Sequence, residues 1–259
     1  MCEFMKCAIN EIFGPTIQGE GLCSGVPSIF IRFNGCNLRC CFKGGSICDT
    51  AYTSHRPEEP AFNDINDAIA DVKTKLKQNP QVKDIVFTGG EPMLQQEAMA
   101  SIIDELDKCY ERLRYTVETN GTIPLKDVLK FKVDLWSVSP KLSNSAHFEG
   151  CGIDSKMQER HNAIRVNYEA VCTYFDDAPT QLKFVYTDSE TEAEIKKWLK
   201  GLHDTNSYTK VIPTLIMPEG EVNEQISRIS EDAVQACIRN GWRFCDRVHI
   251  RIWGNKRAV

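Results

Sequence analysis

Residues 28–50 read S-I-F-I-R-F-N-G-C-N-L-R-C-C-F-K-G-G-S-I-C-D-T. Ser28–Phe33 is a short run of β-branched and aromatic residues, which predicts a strand. Gly35 follows it, and four cysteines then fall within thirteen residues: Cys36, Cys40, Cys41 and Cys48. Thiolates are soft anionic ligands suited to iron–sulfur clusters and zinc, so a tight loop of them after a strand can wrap one metal centre. A structural zinc site wants four closed ligands. Cys40 and Cys41 are adjacent, however, so their side chains diverge and both reaching one metal is strained. Three cysteines on a cubane of four irons would leave one iron open. Either Cys40 or Cys41 can be the middle ligand, and four unliganded thiols in a loop is the plain alternative.

The strand-then-loop pattern recurs on both sides of this stretch. Asp84–Thr88 (D-I-V-F-T) predicts a strand stopped by Gly89-Gly90, with a helix over Gln95–Cys109. Further strands are predicted at Arg114–Glu118, Asp134–Ser139, Gln181–Thr187, Lys210–Ile216 and Arg247–Trp253. Helices are expected over Ile65–Leu76, after an Asp64 or Asn63 cap, and over Lys126–Phe131, Gln158–Phe175, Glu190–Leu202 and Val222–Asn240. Alternating strands and helices predict right-handed βαβ units around a parallel sheet. About six parallel strands suit a partial (β/α) barrel better than a closed eightfold one. Such folds hold ligands at the carboxyl ends of their strands, where the polar and glycine-rich segments fall here.

Composition narrows the class. The 259 residues fit a single domain over 1–259, with 42% apolar and 26% charged residues. No apolar run is long enough to span a membrane, and Met1–Asn10 lacks the layout of a signal peptide, so a cytoplasmic location is expected. A net charge of −5 argues against a nucleic-acid-binding surface. Among twelve cysteines, eight are scattered singly and read as ordinary thiols. Metal ligation explains the other four better than a disulfide framework.

Cys36-x3-Cys40 resembles the start of the C-x3-C-x2-C motif of the radical S-adenosylmethionine superfamily. Seven residues instead of two separate Cys40 from the third cysteine, but Cys48-Asp49-Thr50 is similar to that motif's frequent C-D-T ending. The resemblance therefore implies a short insertion near 41–47, with Cys36, Cys40 and Cys48 as cluster ligands. Other blocks are similar to one branch, the 7-carboxy-7-deazaguanine synthase family: E-I-F-G-P-T-I-Q-G-E-G (11–21), T-G-G-E-P-M-L-Q (88–95), E-T-N-G (118–121), S-P-K (139–141) and Q-L-K-F-V (181–185). They run from Glu11 to about Trp253.

That resemblance implies a 4Fe–4S cluster, S-adenosylmethionine and Mg2+ as cofactors. It implies a carbon–nitrogen lyase that contracts 6-carboxy-5,6,7,8-tetrahydropterin to 7-carboxy-7-deazaguanine with loss of ammonia, started by a 5′-deoxyadenosyl radical. A homodimer and an electron donor such as flavodoxin or ferredoxin also follow from it.

The pterin substrate carries a carboxylate and a guanidine-like edge. Arg32 offers a fork for the carboxylate, while Ile17, Gln18, Gly19, Glu20, Thr88 and His249 complete the substrate residues by resemblance. Asp49, Gly89, Gly90, Glu91, Ser139, Pro140, Lys141 and Lys183 would meet S-adenosylmethionine, and Thr50 would meet Mg2+. Each has a plainer reading. Gly89-Gly90-Glu91-Pro92 and Ser139-Pro140 also serve as strand-end turns. Gln18 and Glu20 suit turn chemistry beside Gly19 and Gly21, and Arg32, Lys183 and His249 suit solvated strand faces. Rival functions are a glycyl-radical activase, a zinc-binding module and a ferredoxin-type carrier.

Overall fold

The computed structural model describes residues 6–43, 46–206 and 212–259. Two strands open the chain, β1 (Lys6–Ile17) and β2 (Pro27–Phe33). A two-stranded ribbon follows, β3 (Cys41–Phe42) against β4 (Ser46–Ile47), pairing Cys41 with Ile47. Next come β5 (Phe62–Asp64), α1 (Ile65–Gln78), β6 (Asp84–Gly89) and α2 (Gln96–Asp107). Then β7 (Arg114–Thr119), β8 (Leu135–Val138), α3 (Ser155–Ile164) and α4 (Tyr168–Phe175) continue the layers. The chain closes with β9 (Thr180–Tyr186), α5 (Ser189–Thr205), β10 (Thr214–Pro218), α6 (Asn223–Asn240), β11 (Arg243–Phe244) and α7 (Val248–Trp253).

Nine strands form one sheet in the order β11-β10-β9-β8-β7-β6-β2-β1-β5. Every pair from β2 through β6 to β11 is parallel, whereas β1 runs antiparallel to both β2 and β5. Because β5 and β11 are its two edges, the sheet is an open, partial (β/α) barrel.

Period-two alternation sorts each strand into a packing face and a ligand face. Ile29, Ile31 and Phe33 of β2 join the apolar core, as do Ile85 and Phe87 of β6 and Tyr115 and Val117 of β7. Trp136 and Val138 of β8, and Leu182, Phe184 and Tyr186 of β9, extend the same layer. The residues between them are Arg32, Thr88, Glu118, Ser137 and Lys183, all of which line cavities. One face of the sheet is therefore greasy and the other carries the chemistry.

At the carboxyl end of β6 the glycines serve packing. Gly90 N donates to Phe33 O at 3.0 Å, and Glu91 N donates to Gly35 O at 2.8 Å. A Cβ on Gly90 would lie 2.1 Å from Gly35 O, and one on Gly89, at φ +131°, would lie 2.3 Å from Phe33 O. The Gly-Gly pair thus lets β6 seat flush against the start of the cysteine loop. Gly90→Ala is expected to cost about 1–3 kcal/mol from overpacking, read as a lower urea midpoint; an unchanged midpoint would show that the backbone there gives way freely.

Several expectations are corrected. Arg247–Trp253 is not a strand: Val248–Trp253 is helical. Its apolar alternation (Val248, Ile250, Ile252) has no sheet neighbour to pair with, and only Ile250 is buried, so docking across the open end of the sheet overrides strand propensity. The helix expected over Gln158–Phe175 is two helices, broken where Asn167 caps α4 by accepting from Ala170 N at 3.1 Å. Lys126–Phe131 shrinks to a 3-10 turn at Asp127–Leu129. The strand expected over Lys210–Ile216 begins at Thr214, its first two residues lying outside the described ones. At α1 the cap is Asp64, which accepts from Asn66 N at 2.8 Å.

Candidate active site

Two adjoining cavities open on the polar face of the sheet. The first, of about 270 Å³, is walled by Ile17, Gln18, Gly19, Arg32, Tyr52 and His249 among others. The second, of about 200 Å³, holds Cys36, Cys40 and Cys48 together with Gly90, Ser139, Lys141 and Lys183. Glu20, Asp49, Thr50, Thr88, Gly89, Glu118 and Arg247 belong to both walls. Most of the expected site residues thus converge from distant parts of the chain.

The cysteine loop separates its thiols. Cys36, Cys40 and Cys48 line one cavity, whereas Cys41 does not. Cys41 is fully buried on β3 and its thiol meets that of Cys151 instead. Cys36 Sγ accepts from Leu38 N at 3.4 Å, and Cys48 Sγ lies 3.3 Å from Thr50 Oγ1. Burial pushes the Cys36 thiol up to about 12 and raises Cys40 and Cys48 as well, while the Lys141 ammonium pulls all three the other way. Thiols must lose their protons to become metal ligands, so binding a metal centre would work against this rise. Three thiols, hydrogen-bond donors to sulfur and a nearby cation fit a cluster's anionic ligand set. Among the described residues no three His, Cys, Asp or Glu side chains gather around a single metal ion.

A chain of charges, buried at Lys183 and Arg247 and more open at Glu118 and Asp49, divides the two cavities. Lys183, only 5% exposed, pairs with Glu20 and reaches Glu118 at 3.5 Å. Arg247 Nε holds Glu20 Oε1 at 2.9 Å, and its Nη2 holds Asp49 Oδ2 at 2.7 Å. Its Nη1 donates to Gly220 O at 2.6 Å. Burial alone would raise Glu20, but Lys183 and Arg247 beside it hold its carboxyl well below the usual range. Asp49 is likewise lowered, burial being outweighed by Arg247. Thr88 Oγ1 donates to Glu118 Oε2 at 2.8 Å, tying β6 to β7 within this network.

Arg32 is turned for a ligand. Its Nε is held by Glu11 Oε1 at 2.8 Å, and its guanidinium carbon lies 5.2 Å from the centre of the Phe13 ring. Its two terminal nitrogens have no protein partner among the described residues. Tyr52 and Arg257 complete that wall: Arg257 stacks 3.8 Å above the Tyr52 ring and bonds Glu11 Oε2 at 3.0 Å. Gln18 is buried, donating to Ser28 Oγ at 3.0 Å. His249 sits on α7, packed so closely on Gly19 that a Cβ there would lie 1.9 Å from Nδ1. Burial lowers the His249 pKa, against the pull of Glu20.

Two expected residues stand back from the cavities. Glu91 is fully buried and lines neither; it accepts from Asn120 N and Thr119 Oγ1, each at 2.7 Å, and from Met93 N at 3.0 Å. It therefore sets the ETNG loop in place from behind. Pro140 is also off the walls, while Lys141 Nζ folds back onto Ser139 O and Oγ at 2.9 and 2.8 Å. Arg247 and Tyr52 escaped the sequence reading, and Glu118 enters it only as the first residue of the E-T-N-G block, with no role at the site. Alternation along β7 would have found Glu118, whose neighbours Val117 and Thr119 are both buried.

Comparison with known proteins now places the chain. The Radical SAM superfamily matches residues 30–226, so the chain belongs to the radical S-adenosylmethionine superfamily. A 7-carboxy-7-deazaguanine synthase from Halobacterium salinarum is 35% identical over 95% of this chain and 90% of its own length. Another from Rhodopirellula baltica is 32% identical, covering 97% of this chain and 88% of that protein. The chain belongs to the 7-carboxy-7-deazaguanine synthase family. These relatives favour that reading over the glycyl-radical activase. The crystal structure of QueE from Escherichia coli aligns with a TM-score of 0.60 at 24% identity, covering 94% of this chain and 95% of that one, which bears on the fold alone. No helix among the described residues is long and apolar enough to cross a membrane.

Proposed function

We propose that this chain contracts 6-carboxy-5,6,7,8-tetrahydropterin to 7-carboxy-7-deazaguanine with loss of ammonia, for 7-deazapurine biosynthesis of the queuosine type. The observation that carries the proposal is the convergence of Cys36, Cys40 and Cys48 on one cavity that adjoins a second, Arg32-lined one. When bound, the cluster, S-adenosylmethionine and Mg2+ supply the hydrogen-abstracting radical and neutralise charge at the substrate carboxylate. The chain's own residues bind, orient and shield.

Cys36, Cys40 and Cys48 hold the cluster, and the β3–β4 ribbon is an insertion within a single domain over 1–259. Lys183, Ser139, Lys141, Gly89, Gly90 and Asp49 surround S-adenosylmethionine, with Glu91 and Pro140 shaping the turns behind them. Thr50 gives Mg2+ a hard oxygen, leaving its other positions to water and substrate oxygens. Arg32 takes the substrate carboxylate through its two unengaged nitrogens, while Gln18, Gly19, Glu20, Thr88 and His249 frame the pterin. Ile17 closes that wall. A cytoplasmic homodimer reduced by a flavodoxin or ferredoxin completes the proposal, on the strength of the family resemblance.

The test is anaerobic reconstitution followed by incubation with S-adenosylmethionine, dithionite, Mg2+ and the carboxypterin. Absence of the deazaguanine by mass spectrometry, from cluster-loaded protein, sinks the proposal. Arg32→Met is expected to lower kcat/KM about 10- to 100-fold, the worth of a hydrogen bond to a charged group. Arg32→Lys should recover only part, lacking the planar fork. Steady-state rates at low substrate check this; an unchanged kcat/KM would remove Arg32 from the substrate's contacts.

A further inference from the structure

Between Cys36 and Cys40 the backbone N–H of Arg39 has no carbonyl to meet and donates instead to His161 Nδ1 at 3.2 Å. His161 comes from α3 and is 1% exposed. Its other nitrogen, Nε2, lies 3.2 Å from Ser145 Oγ, which itself donates to Leu142 O at 2.7 Å. Donor and acceptor roles along this line are forced. A backbone N–H can only donate, so Nδ1 must be bare; Nε2 then carries the ring proton and gives it to Ser145, whose own hydrogen is spent on Leu142. An imidazolium would point N–H at N–H. Burial, with Arg165 and Lys141 near, holds the ring's pKa down at about 4, in keeping with this neutral tautomer. Phe148 meets the ring edge-on at 5.3 Å between centroids and fixes its plane.

The line starts inside the cysteine loop and ends at Leu142, the residue after Ser139-Pro140-Lys141. A backbone hydrogen bond joins the same two segments in the opposite sense, His147 N donating to Cys41 O at 2.9 Å. We propose that His161 is a positioning residue that locks the Arg39 peptide to the Leu142–Ser145 segment, so that the cluster cysteines and the Ser-Pro-Lys turn keep one fixed spacing. This rests on the assignment of Cys36, Cys40 and Cys48 as cluster ligands. Outer partners that orient metal ligands typically change metal affinity 10- to 100-fold when lost. His161 acts one peptide removed from the sulfurs, so its effect belongs at the low end of that range.

The test compares reconstituted wild-type, His161→Leu, His161→Asn and Ser145→Ala proteins. Iron release to a ferrous chelator is timed, and the electron paramagnetic resonance of the reduced cluster is recorded with and without S-adenosylmethionine. His161→Leu, which fills the space but accepts nothing, should release iron about tenfold faster and lose most of the spectral change on adding S-adenosylmethionine. His161→Asn restores an acceptor to Arg39 N and should recover both, although it packs less well against Phe148. Ser145→Ala should shift both readouts in the direction of His161→Leu, and it decides the matter if His161→Leu does not fold. Wild-type behaviour in Ser145→Ala and in folded His161→Leu overturns the proposal, as does an Asn variant as impaired as the Leu one. Cys40→Ala run alongside separates the two readings: full iron in that variant would fault the ligand assignment rather than His161.

Discussion

Replacing Cys40 with alanine should abolish both the cluster and turnover, while Cys41→Ala should leave iron content near the wild-type level. The two residues are neighbours in sequence, but β3 begins between them. Cys40 remains in the loop and lines the cavity with Cys36 and Cys48. Cys41 enters the ribbon, where alternation sends its thiol to the opposite side, against Cys151. A cubane missing one of three protein thiolates keeps two irons without protein ligands, so the loss is expected to be complete rather than partial. Iron and sulfide content after anaerobic reconstitution checks this directly. Full cluster in Cys40→Ala, or none in Cys41→Ala, would reverse the assignment.

The second large effect lies at Arg247. It is 8% exposed and neutralises two carboxylates at once, Glu20 and Asp49. Arg247→Met keeps the stem's bulk and removes the charge. Glu20 would retain Lys183, but Asp49 would lose the cation that lowers it. Asp49 is 40% exposed, so water can take over its charge. The cost falls on the more deeply placed Glu20, at or below the lower end of the range of about 3–5 kcal/mol typical of breaking a buried ion pair, because Lys183 remains beside it. Urea unfolding of the apoprotein should show a loss of that order, and the double variant Arg247→Met with Glu20→Gln should recover part of it. Equal stability of single and double variants would mean that Glu20 takes no part in the cost.

Much of this architecture was legible because parallel strands announce themselves. The runs around Ile29, Val86, Val117 and Phe184 are β-branched or aromatic and end in glycine or polar turns. What escaped was set by partners far away in sequence. β1 carries register shifts near Ile9–Glu11 and Phe13–Thr16, which blur the alternation that would mark it. α7 has strand-like alternation, yet it folds as a helix because Val248 N bonds Gly19 O at 2.9 Å and Gly19 leaves room for His249. Within the site, cysteines and glycines stand out by type. Arg247 does not, since an arginine flanking a short apolar segment gives no hint that it will meet two carboxylates near the other end of the chain.

That arrangement governs the order in which the molecule is assembled. Arg247 reaches back 227 residues to Glu20 and 198 to Asp49, and Arg257 reaches back 246 to Glu11. Contacts of such separation form late, after the entropy of closing nearly the whole chain has been met. A growing chain therefore exposes its cysteine loop to the cell long before the residues that fasten it emerge. A chain ending before residue 247 would carry the thiols without the arginine that pairs with Asp49 beside them.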